Sequence, residues 1–303
     1  MKSKLSALGF VLILSALVFN GCGPITEQPT EVPTAAPTEV AVEASALPIK
    51  ARSVPAPGVI YKGLSFSYDD TLASEVVAET MPAVGKGSFE WEIVPEHVQF
   101  TFTDYILPDT FHEPRIYVYP VSDFEAANPV AGKTIAALRQ FLVEKPAAPD
   151  EIPFLPLFNA KQMIRAQIAY VDFQNGTGVR FLTYYSQAPT PVNNNELFYT
   201  FQGMTHDGDY YVAAILPVSH PMLPTNWMME TPAGDADAFA QNLDSYMWDV
   251  EQQLSAQDAS SFTPDLSLLD AIIQSLELAP ASTLLSGEQG DSYPDRASYL
   301  NTD

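Results

Sequence analysis

The stretch Asn193–Tyr211 reads NNNELFYTFQGMTHDGDYY and places His206, Asp207, Asp209 and Glu196 within a short span. An imidazole beside carboxylates is the raw material of a metal site or of proton transfer. The spacing argues for a simpler origin. Asp207-Gly208 stands between two apolar strands, and tight hairpin turns demand residues that accept positive φ. A Ca²⁺ site takes about six to eight oxygens, and this loop offers about three. The segment is therefore expected to be a hairpin tip, with His206 and Asp207 kept as candidate contacts for a ligand or partner.

Other chemistries fare no better. The histidines His97, His112, His206 and His220 are scattered, and His112-Glu113 lacks the spacing that sets two imidazoles on one helical face. No GxSxG elbow occurs, and in Ser219-His220 the two side chains are adjacent, the wrong geometry for a nucleophile and its base. The glycines of AVGKGS, Ala83–Ser88, do not form a phosphate loop. No catalytic residue, metal or cofactor is expected. Acid pairs for glycoside hydrolysis stay open, because their separation is spatial. The remaining candidates for binding are Asn193 and Asn194, whose amides suit a glycan or peptide or, alternatively, the backbone of their own loop, and Trp91 and Trp227, near element ends. Met228 and Met229 beside Trp227 form an adaptable apolar patch, of use to a partner or to the core.

These residues must be held by a folded unit expected over residues 58–278. GLSFSY (Gly63–Tyr68), VQFTFTDY (Val98–Tyr105) and RIYVYP (Arg115–Pro120) alternate and are rich in aromatic and β-branched residues, which predicts strands. Lys133–Lys145 carries Ile135, Leu138, Phe141 and Leu142 at helical spacing and is stopped by Pro146. An antiparallel meander is expected over Ile164–Phe173, Val179–Gln187, Leu197–Met204 and Tyr210–Leu216, with turns at Asn175-Gly176 and Asp207-Gly208. The last strand is apolar on both faces, so its sheet should be covered on both sides. Two closing helices supply cover: Asp235–Gln257, with a stripe from Ala236 to Leu254, and a second begun by Thr263 as N-cap and Pro264, burying Leu266, Leu269, Ile272, Ile273 and Leu276. The expected class is α+β, a mainly antiparallel sheet with helices on both faces, an α/β/α sandwich. The order YKGLSFSYDD, VRFLTYYSQ, LFYTFQG, a DG turn and YYVAAILPV before a long helix is similar to the PsbP-like sandwich. That resemblance implies a partner-binding role in an envelope. The Pro146–Pro156 insertion and the second terminal helix depart from it.

The chain opens MKSKLSALGFVLILSALVFNGC, with Lys2 and Lys4, an apolar run Leu5–Phe19 and then Gly21-Cys22. This is the pattern of a signal peptide over residues 1–21. The run is shorter than the roughly 20 residues that span a bilayer. Cys22 is the only cysteine, which excludes an internal disulfide. Gly21-Cys22 resembles the lipobox of bacterial lipoproteins, although Phe19 and Asn20 replace the family's Leu and Ala or Ser. The resemblance implies lipidation of Cys22, and two acyl chains anchor stably.

Residues 22–57, with PTEV at Pro29 and again at Pro37, show no apolar periodicity and are expected to be a disordered tether. In composition this Pro/Thr-rich tether resembles those of Chloroflexi-type lipoproteins. A tail over residues 279–303 is expected to be flexible. Without Lys2 and Lys4, 12 basic residues face 37 acidic ones. Such a surface is soluble and repels nucleic acid. The expectation is a lipid-anchored extracytoplasmic protein, facing outward from the cell membrane, that binds an unknown protein or small solute without catalysis. The alternative is a secreted hydrolase with a carboxylate or metal site.

Overall fold

The computed structural model describes residues 58–85, 87–226 and 236–279. Cys22, the tether, Trp227 and the C-terminal tail lie outside the described residues. The chain first forms β1 (Gly58–Tyr61) and β2 (Leu64–Ser67), a hairpin whose turn residues Lys62 and Gly63 both have left-handed backbone, at φ 47° and 72°. That geometry matches the twist of the paired strands. Next come β3 (Glu75–Met81), β4 (His97–Thr103), β5 (Arg115–Pro120), α1 (Val121–Ala127) and α2 (Pro129–Glu144). A short β6 (Lys161–Gln162) precedes β7 (Ala166–Phe173), β8 (Gly176–Thr183), β9 (Tyr185–Ser186), β10 (Phe198–Thr205) and β11 (Tyr210–Pro217). The described chain closes with α3 (Ala236–Gln241), α4 (Leu243–Ser255), α5 (Leu266–Ser275) and β12 (Glu277–Leu278).

Seven strands form one antiparallel sheet in the order β3-β4-β5-β11-β10-β8-β7, while β12 joins the β1-β2 hairpin and β6 pairs with β9. The class is α+β. Every residue of β10 and β11 is buried, so these central strands are covered on both faces. Tyr199, Phe201, Val212 and Ala214 share one cluster with Met247, Val250 and Leu254 of α4 and Leu269 and Ile272 of α5. Phe198, Met204, Tyr211 and Ala213 share the other with Phe124 of α1 and Ile135 and Leu138 of α2. Across β8 and β10, Gly178 is paired with Gly203. A Cβ at Gly178 would lie 2.3 Å from the ring of Phe201, and one at Gly203 2.4 Å from it, so the ring occupies the space both glycines leave.

Several boundaries differ from expectation, each for a local reason. The helix expected from Lys133 begins at Pro129, because the Asn128 carboxamide caps it, accepting from Val130 N at 3.0 Å and Ala131 N at 3.2 Å. The turn expected at Asn175-Gly176 is made by Gln174 and Asn175, with Gly176 already paired to Phe173. Tertiary partners shape that turn: Gln174 N donates to Leu276 O at 3.0 Å and Asn175 Nδ2 to Leu278 O at 2.6 Å. The long helix expected over Asp235–Gln257 is interrupted at Asn242, whose amide turns back to Ala238 O at 2.8 Å, the competition with the backbone that disfavours Asn inside helices. The N-cap of α5 is Asp265, accepting from Ser267 N at 2.8 Å, while Thr263 bridges to Ser219. Thr263 is thus not the cap.

Candidate functional site

The residues singled out by type fall at two ends of the sheet. His206 and Asp207 are exposed at the β10-β11 tip, where Gly208 takes φ +79°. Asp207 Oδ1 accepts from Thr205 Oγ1 at 2.5 Å and Asp209 N at 3.0 Å. The Thr205 hydroxyl holds the Asp207 carboxyl below the usual range, so this acid is an internal acceptor of its own turn. Trp91 lies before β4 on the same side of the sheet, in a 3-10 turn over Glu90–Glu92. It stacks on Phe89 at 4.6 Å, and Asn128 Nδ2 ties the turn down through Glu90 O at 2.8 Å and Ile93 O at 3.1 Å.

Asn193 and Asn194 stand beyond the other end of β10, about 27 Å away by strand rise over its eight residues. Asn193 is fully buried; its oxygen accepts from Asn195 N and Glu196 N, and its amide donates to Pro191 O and Glu196 Oε2. Asn194 donates to His220 O and Leu223 O and accepts from His220 N. Both amides are therefore committed to their loop, and the fold does not assemble the candidates into one site.

Among the described residues one serine–histidine hydrogen bond occurs, His220 Nε2 to Ser261 Oγ at 3.1 Å. His220 Nδ1 accepts from Met222 N at 3.3 Å, which assigns the ring proton to Nε2, while Ser261 donates to Asp258 O at 2.6 Å. An Nε2 that carries its proton cannot take one from serine, so the pair is a structural clasp. Among the described residues no three His, Cys, Asp or Glu side chains are placed to hold a metal ion.

The concave region lies elsewhere, over the strand ends where β8 passes into β9. Residues 152–158 run from α2 toward β6 and bury Ile152, Phe154 and Leu155 in the cluster under α2. Two buried glutamines fasten this segment. Gln162 accepts from Ile152 N at 3.1 Å and donates to Ile152 O at 3.1 Å and to Tyr185 Oη at 2.9 Å. Gln202 accepts from Leu155 N at 2.9 Å and Tyr211 Oη at 2.6 Å. Satisfied networks of this kind rigidify what they hold.

On that base stands an aromatic wall. Phe158 lies 4.9 Å edge-on from Tyr185 and 5.2 Å from Phe154, and His112 stacks on Phe158 at 5.5 Å and meets Phe198 edge-on at 4.5 Å. Among the described residues no partner hydrogen-bonds a ring nitrogen of His112, and burial lowers its pKa to about 4, so the imidazole is neutral near pH 7. Burial likewise pushes the Tyr185 phenol up.

Phe158, Ala160 and Tyr185 separate two clefts. One, of about 490 Å³, is bordered by Lys133 and Thr134 of α2, by Asp150 and Glu151, and by Lys161 and Arg165. The other, of about 710 Å³, is bordered by Phe111, His112, Ser186, Thr190 and Glu196. Of the described residues expected to bind, Trp91, Asn193, Asn194, His206 and Asp207, none borders either cleft. The signal that points here is FLPLF, Phe154–Phe158: four large apolar residues in a proline-rich segment with no period must lie against something. No family model, no curated protein and no solved structure matches this chain.

Proposed function

We propose that this protein is a lipid-anchored extracytoplasmic binding protein, held at the membrane through Cys22 and its tether, which takes a small solute or a partner's side chain in the clefts beside Phe158 and Tyr185. The domain is read as a three-layer α/β/α sandwich with helices on both faces, of the PsbP-like kind. The observation that carries the binding role is the contrast within the cleft region: its wall is fixed by two buried, hydrogen-bonded glutamines, while aromatic rings and side chains of both charges border the open space. A rigid, mostly apolar concavity with a few polar groups is the usual form of a ligand site. The carboxyls with displaced pKa, Asp69 and Asp207, both lie low and are held there by threonine hydroxyls, the opposite of an acid poised for catalysis.

Replacing Cys22 with Ser tests the anchor. The variant should leave the membrane fraction for the aqueous one; retention in the membrane overturns lipidation as the attachment. Phe158→Ala tests the cleft, because loss of the wall should weaken any solute found to bind without unfolding the sheet.

A further inference from the structure

The described residues include eight basic side chains in a chain of formal net charge −23. All four arginines among the described residues are ion-paired: Arg115 with Glu113, Arg139 with Glu125 at 2.9 Å, Arg165 with Glu251 at 3.2 Å and Arg180 with Asp270 at 3.2 Å. Lys62 and Lys145 lie over the rings of Tyr61 and Tyr170, at 5.8 and 5.4 Å. Among the described residues only Lys133 and Lys161 have no hydrogen bond, ion pair or ring partner, and both border the cleft of about 490 Å³. They come from different elements, α2 and β6. Asp150 and Glu151 border the same cleft, yet neither forms an ion pair with either ammonium.

Two further groups there have capacity to spare. Arg165 Nε is buried without a hydrogen-bond partner. The Tyr185 hydroxyl accepts from Gln162 at 2.9 Å but finds no acceptor for its own proton among the described residues. Lys133, Lys161, Arg165 Nε and the Tyr185 hydroxyl are all donors, and they stand on one border with the carboxylates of Asp150 and Glu151. The natural complement of the donors is an acceptor that carries negative charge.

We infer that this cleft binds a small organic monocarboxylate, its carboxylate held by Lys133 and Lys161 and its apolar body laid against Phe154, Leu157 and Phe158. The inference rests on the reading of the cleft as a ligand site. With Arg165 balanced by Glu251, Lys133 and Lys161 stand against Asp150 and Glu151, so the border carries no net charge, which works against a doubly charged phosphate ester. The acidity of the rest of the chain does not forbid this, because at about 0.15 M ionic strength charges more than about 8 Å away are largely screened.

NMR titration of the full-length protein with three probes at constant ionic strength tests it: benzoate, neutral benzamide and cationic benzylamine. Benzoate should shift the amides of Lys133, Ala160, Lys161 and Arg165, and benzamide should bind at least about tenfold more weakly, the factor that about 1.4 kcal/mol from a charge-assisted contact supplies. Benzylamine should be weakest. In the double variant Lys133→Gln, Lys161→Gln, benzoate should fall to the level of benzamide while benzamide itself is unchanged and the thermal midpoint holds. Equal binding of benzoate and benzamide, or undiminished benzoate binding in the double variant, overturns the carboxylate inference and leaves the cleft a binding site. Cleft amides that respond to none of the probes overturn both.

Discussion

The β10-β11 tip and the Phe158–Tyr185 clefts make an instructive pair. The tip holds the residue types most associated with chemistry, an imidazole and two carboxylates, yet Asp207 spends its oxygen on Thr205 and on the amide of Asp209. The clefts hold lysines, an arginine, carboxylates and aromatic rings, ordinary types, but the ammonium groups of Lys133 and Lys161 are unspent. Residue type marks where chemistry could occur, whereas unmet hydrogen-bonding capacity beside a rigid wall marks where a ligand would be welcome.

The strongest way to break the comparison is to unfasten the wall. Gln202→Leu orphans Leu155 N and the Tyr211 hydroxyl, and two buried donors left unmet at about 1–3 kcal/mol each should lower stability by roughly 2–6 kcal/mol in denaturant melts. Hydrogen exchange should quicken over residues 152–158 and stay unchanged at the tip; equal quickening at both would erase the distinction.

Acid separates the two regions next. The folded pKa of His112 is about 4, below its ordinary 6.5, so the unfolded chain binds more protons between those values. Its contribution to stability is complete above about pH 6.5 and is lost as pH falls toward 4. Asp207 is also lowered, so its contribution is present above 3.8 and is lost only below that. Burial also lowers the pKa of His97 and of His220, which act in the same direction as His112. The readout is therefore His112→Phe, which should lose less stability than the parent between pH 7 and pH 4.5; an identical loss would remove the cleft imidazole from the account.

Two smaller effects sharpen the contrast. Asp207→Ala should cost about 1 kcal/mol, the worth of a turn-closing side-chain acceptor, without altering probe binding in the clefts. Lys133→Gln should change stability by less than about 0.5 kcal/mol, since the ammonium has no partner to lose, and should register only in the benzoate titration.

Much of the fold was legible because its signals are local. Arg115–Pro120 is a strand with the bounds expected of it, and Tyr210 to Leu216 announced burial on both faces by carrying apolar residues on each. What escaped depends on distant contacts. The turn at Gln174 and Asn175 is shaped by Leu276 and Leu278, about a hundred residues on, and Thr263 joins Ser219 instead of capping a helix. Asn128-Pro129 was an available cap signal, and it extends α2 by a turn beyond the apolar stripe. The clefts were the least legible part. That Lys133 and Lys161 border one space without forming an ion pair there is a property of the assembled surface, and no spacing encodes it.

Because every residue of β10 is buried, alternation of apolar and polar positions cannot align it with β8. The Phe201 ring seated over Gly178 and Gly203 fills that role sterically, like a tooth in a notch. A nascent hairpin that slid along its neighbour would drive a side chain into the ring, so misaligned pairings are rejected as they form rather than repaired afterwards.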